Sequence, residues 1–580
     1  VSPATSPAAA LARLFAESDA AYLERNPREA IARGDLRHAD RYGDGISDAW
    51  WAAERKAAED DLKRLSAIDR AALTPAQLLD YDTFAWLQRD TIAATAPAML
   101  AIAKRLPLDH MGGAQANYPT FASGQGTAPF ATLADYENNL KRHEGYVAYL
   151  DASIARMREG MAAGIVQPKI VVRAVIGQLD GLIAQGVEES SFYGPIERFP
   201  AAITPADRKR LTAAYASAIR DRLTPAHRRL RAFLVDTYLP AARDTVGISA
   251  LPGGAAFYAN AIAHSTTRAM TADEVHALGL SEVARIRGEM DAIRTATGFA
   301  GDLPAFFELI RTDPRFKPKS REALTEAYRA IGLRVDARVR EQFSTIPRSA
   351  LEIRPYEPYR EKSQPGGSYE PGSPDGKRPG IFYFNAYDLP SRTTPGMETL
   401  YLHEAVPGHH FQISVAQENP DLPAFMRFRW NTAYVEGWAL YAETLWKPLG
   451  METDPYARFG GLDDEMLRAM RLVVDSGLHA KGWTRDRAIA YMLANSGMGR
   501  TDATAEVERY IAWPGQALAY KVGQLTISRL KAKAQDALGA RFDPRAFHAQ
   551  VLESGSLPMS VLETKIDRWI AQAKAAPAKA

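Results

Sequence analysis

Three of the eleven histidines in this 580-residue chain fall within eight positions, in Leu402-His-Glu-Ala-Val-Pro-Gly-His-His-Phe411. His403 and Glu404 open like an HExxH zinc site, in which two histidines one helical turn apart bind one ion. Pro407 stands where the second histidine belongs. In an unbroken helix His409 and His410 would lie about 9 and 10.5 Å beyond His403 along the axis, too far to share an ion. Proline removes an amide donor and clashes with the carbonyl four residues back, and glycine tolerates the conformations that follow. A bend at Pro407-Gly408 would therefore bring His409 or His410 to the missing position. The third ligand is expected from Glu436, a carboxylate among Tyr434, Val435, Trp438 and Leu440 that is costly to bury unless it is paired or metal-bound. Glu443, two turns on, is either the alternative ligand or a support for a liganding imidazole.

Two polar stripes follow in otherwise apolar helices: Arg471, Asp475 and His479, and Gln516, Tyr520 and Gln524. At i, i+4 and i+8 each stripe lies on one helix face. His479 and Tyr520 are candidate donors to a developing oxyanion, and Arg471 or Lys521 a candidate anchor for a substrate carboxylate. The competing reading of each stripe is a buried structural network. His143-Glu144 has Val147 at the plus-four position and reads as a solvated helix face.

The elements that must position these groups are mostly helices. Apolar residues recur at three- and four-residue spacing over 8–24, 48–68, 75–95, 136–159, 205–238 and 272–297. Thr74-Pro75, Thr204-Pro205 and the capping box Thr271-Ala-Asp-Glu274 mark helix starts. Residues 107–129 read as a helix-poor loop. Residues 349–356 and 380–385 read as strands, the latter offering an edge to an extended peptide, with Tyr383 and Asn385 as substrate contacts. About two dozen residues rich in Pro, Gly, Ser and Asp join those strands and suggest a substrate-side loop. Helices resume from Pro395, over about 425–446, 462–479, 484–496 and 515–538. An N-terminal helical lobe over 8–245 and a catalytic lobe over 246–575 are expected, packed as one unit.

Composition narrows the function. Net charge is +2, from 71 basic and 69 acidic residues, which gives no attraction to nucleic acid or an anionic membrane. No apolar run is long enough to span a bilayer. With no cysteine, any metal must be held by His, Asp or Glu. The small-residue start Val1-Ser-Pro-Ala-Thr-Ser-Pro-Ala8 suggests a mature periplasmic or secreted protein whose signal peptide has been removed.

His403-Glu-Ala-Val-Pro-Gly-His-His-Phe-Gln412, Glu436-Gly-Trp-Ala-Leu-Tyr-Ala-Glu443, Arg471-Leu-Val-Val-Asp-Ser-Gly-Leu-His479 and Pro514-Gly-Gln-Ala-Leu-Ala-Tyr-Lys521 resemble the bacterial "domain of unknown function 885" family, over nearly the whole chain. The resemblance implies a mainly α, neurolysin-like architecture with a deep channel. Angiotensin-converting enzyme and thermostable carboxypeptidases, zinc peptidases with an intact HExxH, share that architecture. It also implies export. The expectation is a zinc peptidase acting on short peptides, as monomer or homodimer, with His403, His409 and Glu436 on the metal. Glu404 would take a proton from zinc-bound water and pass it to the leaving amine. The alternatives are a metal-dependent amidase or esterase on a specialised small molecule, and a non-catalytic helical binding protein with a degenerate site.

Overall fold

The computed structural model describes residues 6–356, 361, 365–373, 376 and 378–575, so most of the small-residue start lies outside it. The protein is mainly α, as expected, with three short strands among the described residues. The helices used below are α1 (Pro7–Arg25), α2 (Asp48–Ser66), α3 (Pro75–Ala94), α4 (Leu133–Ala163), α5 (Ala272–Ala296), α6 (Arg321–Asp336), α7 (Met397–Glu404), α8 (His409–Gln417), α9 (Thr432–Glu443), α10 (Pro455–Ala480), α11 (Arg500–Ala512), α12 (Leu518–Leu538) and α13 (Met559–Ala575). Their starts follow the expected chemistry. Thr74 and Thr271 both form full capping boxes, with Gln77 and Glu274 reaching back to the cap.

Several expected elements differ, each for a local reason. The single helix expected over 205–238 carries two π-helical turns, Ile219–Leu223 and Leu234–Tyr238. Pro225 and Pro240 lie just beyond them, and a residue without an N–H cannot extend the regular ladder. The loop expected over 107–129 contains a helix, Ala114–Phe121. The helix expected over 425–446 is two pieces, Ala424–Phe428 and α9, the second capped by the Asn431 side chain on Tyr434 N–H. Helix α11 was not expected.

The strands are β1 (Leu351–Pro355), β2 (Gly367–Glu370) and β3 (Gly380–Phe384), in the order β1-β3-β2. β2 lies within the joining segment expected to be structureless, of which the rest is described only in part. β3 pairs parallel with β1 and antiparallel with β2, so both its edges are taken and it has none to offer a peptide. Its run Ile381-Phe-Tyr-Phe384 is buried throughout, which suits a central strand. Tyr383 stacks on Tyr356 and its hydroxyl accepts from Arg354, while Asn385 donates to the carbonyls of Glu361 and Pro365. Neither expected substrate contact is presented to a peptide here; both hold the sheet and its loop.

Core packing crosses the boundary expected at residue 245. Leu11, Leu14 and Phe15 of α1 and Phe84 of α3 share one apolar core with Leu402, Phe411, Trp438 and Ile566. A separate cluster gathers Tyr118, Tyr146, Leu150, Leu230 and Tyr238. His143 belongs to that side of the molecule and corrects the solvated-face reading. It is buried against the Tyr118 hydroxyl at 3.0 Å, and desolvation pushes its pKa down to about 3.

Candidate metal centre

Helix α7 ends at Glu404 and α8 begins at His409, so the helix breaks rather than bends. Ala405–Gly408 makes the link, with a cis Val406–Pro407 peptide. Two contacts hold the break. The Trp438 indole N–H donates to the Pro407 carbonyl at 2.8 Å. Gly408 passes so close to α7 that a Cβ there would lie 1.8 Å from the His403 carbonyl oxygen. A second close approach sets α9 against α12, because a Cβ on Gly437 would fall 2.5 Å from Gly523 Cα. Glu436, beside that glycine, is thereby carried in under the break.

The outcome is a triad. One ligand atom from each of His403, His409 and Glu436 lies within 4.8 Å of the others. Glu436 Oε2 is 3.4 Å from His409 Nε2 and 3.8 Å from His403 Nε2. Two ligands at tetrahedral angles, each about 2.05 Å from one zinc ion, stand about 3.3 Å apart, so the set is sized for such an ion with slight contraction. His403 Nδ1 donates to Glu443 Oε1 at 2.7 Å, which aims Nε2 inward and gives Glu443 the supporting role. Of the adjacent histidines, His409 joins the triad. The ring of His410 turns to the sheet, where the Tyr369 hydroxyl meets its Nδ1 at 3.0 Å.

The charges of the triad offset one another. Burial opposes charge on His403, yet Glu436, Glu443 and Glu404 outweigh it and raise its pKa to about 10. Burial likewise opposes charge on Glu436, and the two imidazoles overcome it, holding the carboxylate well below its usual range. Glu404 is buried beside His403 and takes no hydrogen bond from any described residue, which leaves its carboxylate available as a base.

The other expected site residues separate into two groups. Arg471 and Tyr520 come together, the guanidinium 4.4 Å over the ring. Arg471 also pairs with Glu506 at 3.1 Å, and the Tyr520 hydroxyl accepts from Arg509 at 3.2 Å. His479 is not brought to this group. Its Nδ1 accepts from Ile248 N–H and its Nε2 donates to the Tyr510 carbonyl, so both ring nitrogens serve the backbone. Lys521 is fully buried against Glu465 at 2.7 Å and Glu282 at 3.1 Å, and its charge is spent there rather than on an anchor.

Arg468, which sequence reasoning did not single out, stands between Glu443 behind the triad and the Arg471–Tyr520 pair. It lies 3.9 Å from Glu443, 3.4 Å from Asp464, and one turn before Arg471. The signal was present, since 464, 468, 471 and 475 extend the same helical stripe backwards. Glu506 had no such signal, because it arrives on the unexpected helix α11.

No membrane-length apolar helix occurs among the described residues. A family model described as "Bacterial protein of unknown function (DUF885)" matches residues 27–566. No curated protein matches. A crystal structure from Colwellia psychrerythraea, of a protein provisionally designated a lipoprotein, superimposes with a TM-score of 0.89 at 28% identity, over 98% of this chain and 100% of that one. Another solved structure, from Shewanella oneidensis and provisionally designated a lipoprotein of unknown function, gives 0.75 at 18% identity, over 96% and 99%.

Proposed function

The chain belongs to the DUF885 family of bacterial proteins of unknown function, and from that premise we propose that it is an exported zinc peptidase acting on short peptides. The observation that carries this reading is the convergence of His403, His409 and Glu436, with His403 fixed from behind by Glu443. These three residues would hold the ion, and their mixed nitrogen and carboxylate donors suit zinc. His409 Nδ1 is buried without a hydrogen-bond partner among the described residues, while Nε2 of each imidazole faces Glu436. Zinc, when bound, supplies a Lewis acid that polarises a carbonyl and acidifies water.

The chain's own groups supply the rest. Glu404 takes a proton from the attacking water and returns it to the departing amine, which otherwise leaves as an unstable anion. Tyr520 accepts from Arg509 through its oxygen, so its O–H remains able to donate to an oxyanion. Arg471, held rigid by Glu506 and stacked on Tyr520, orients that donor. A neurolysin-like ancestry is part of the proposal and rests on the resemblance of the motifs. So is an extracytoplasmic location, supported by the lipoprotein designations of the two similar structures.

The test is Glu404→Gln. It should bind zinc with wild-type stoichiometry and lose roughly 10²- to 10⁴-fold in hydrolysis of a tripeptide panel, the usual contribution of a positioned base. Wild-type turnover in this variant would reject the assignment of Glu404, and a chain that takes up no zinc would reject the metal centre.

A further inference from the structure

One helical turn before Glu436, the wall of α9 opens onto a cavity of about 490 Å³, a volume in the range of small-ligand sites. Thr432 lines it, and at i, i+4 Thr432 and Glu436 share one face of the helix, about 6 Å apart along the axis. On another wall Gln516 accepts from Arg509, the arginine that also donates to the Tyr520 hydroxyl, so the cavity adjoins the group proposed to meet the oxyanion. Its walls are aromatic: Trp51, Trp86, Phe257, Trp430 and Trp513 contribute from separate parts of the chain. Trp430 stands 57% exposed at this surface, although a large indole is ordinarily covered.

The cavity wall also carries a cation, Arg429. Arg429 makes no ion pair with any described residue; its guanidinium rests 4.3 Å over the Tyr22 ring. The carboxylate on the wall, Asp90, is already engaged by His264 at 2.8 Å. A guanidinium with no carboxylate partner, on the wall of an aromatic chamber, suits an anionic group attached to an apolar body.

We propose that this cavity is a substrate subsite that takes the aromatic side chain of a peptide's last residue and pairs the free α-carboxylate with Arg429. The proposal rests on the peptidase reading above and narrows it to release of a C-terminal aromatic residue or a short piece bearing one.

Calorimetric titration of the purified full chain, with and without a chelator, tests it with three probes: N-acetyl-phenylalanine, its amide, and N-acetyl-alanine. The phenylalanine acid should bind at least about tenfold more tightly than either other probe, one decade for the lost ion pair or the lost ring. Arg429→Gln should abolish the preference for acid over amide. Trp430→Ala, at an exposed position that the core does not need, should weaken both aromatic probes at least about threefold. Equal binding of the three probes, or no saturable binding, overturns the subsite. A preference for the acid that vanishes with chelator puts the carboxylate on the metal and overturns the role of Arg429. These titrations need no turnover. A chain that binds as expected but cleaves no peptide keeps the subsite and loses the peptidase reading. A chain that cleaves peptides without this binding does the reverse.

Discussion

One side chain that does not touch the proposed ion, Glu443, prepares the triad. Glu443 holds His403 Nδ1 at 2.7 Å, fixing both the tautomer and the tilt of the ring. Glu443→Gln should weaken zinc affinity about 10- to 100-fold, the usual cost of losing such a partner, in competition with a chromogenic chelator. Unchanged affinity would mean that His403 is oriented by packing alone. The adjacent histidines make a sharper comparison. His409→Ala removes a triad member and should abolish stoichiometric zinc. His410→Ala removes a contact with Tyr369 on β2 and should leave zinc stoichiometry at its wild-type value. The reverse result would exchange their roles.

At the scale of elements, the site depends on a helix that stops and restarts. Residues 405–408 turn α8 so that His409 faces His403 with ring centroids 4.9 Å apart. Gly408 is required because a Cβ would collide with the His403 carbonyl and would also lie 2.4 Å from that of Leu402. Gly408→Ala should cost about 1–3 kcal/mol, the range for overpacking a tight site, and lower zinc affinity at least about tenfold. Urea denaturation and metal competition read the two effects separately, and an innocuous Ala would show that the break can relax.

Helix α4 offers a pH experiment far from the metal. Folded His143 stays neutral down to about 3, against 6.5 for an ordinary imidazole. Between those values the unfolded chain binds the extra proton, so acidification removes stability that His143 contributes at neutral pH. The stability difference between wild type and His143→Gln should therefore shrink from pH 7 to pH 5, by up to about 1.4 kcal/mol per pH unit below 6.5. Urea midpoints at pH 7, 6 and 5 measure it, and a constant difference contradicts a buried neutral ring.

Over the whole molecule, the first helices are part of the framework that carries the site. Phe15 of α1 lies 4.9 Å from Phe84 of α3 and 4.9 Å from Phe425, just ahead of α9. The aromatic cavity is likewise assembled from distant stretches, with Trp51 of α2 and Trp86 of α3 facing Trp430 and Trp513. The N-terminal helices therefore shape the ground beside the candidate metal centre.

The sequence by itself determined the helical class and the capping of its helices, because periodicity and caps act within a few residues. It also nominated His403, His409 and Glu436, because burial of a carboxylate and a proline-glycine break in a histidine cluster are local facts. It left His409 and His410 undivided, since adjacent residues differ by about 100° around a helix and only the packing of α8 against the sheet says which way each faces. The tertiary structure decided that, and it also withdrew His479, Lys521, Tyr383 and Asn385 from the site by giving each a buried partner elsewhere. Such partners arrive on segments up to 239 residues distant, as Glu282 does for Lys521. No pattern along one helix encodes them; they exist only once the chain has closed.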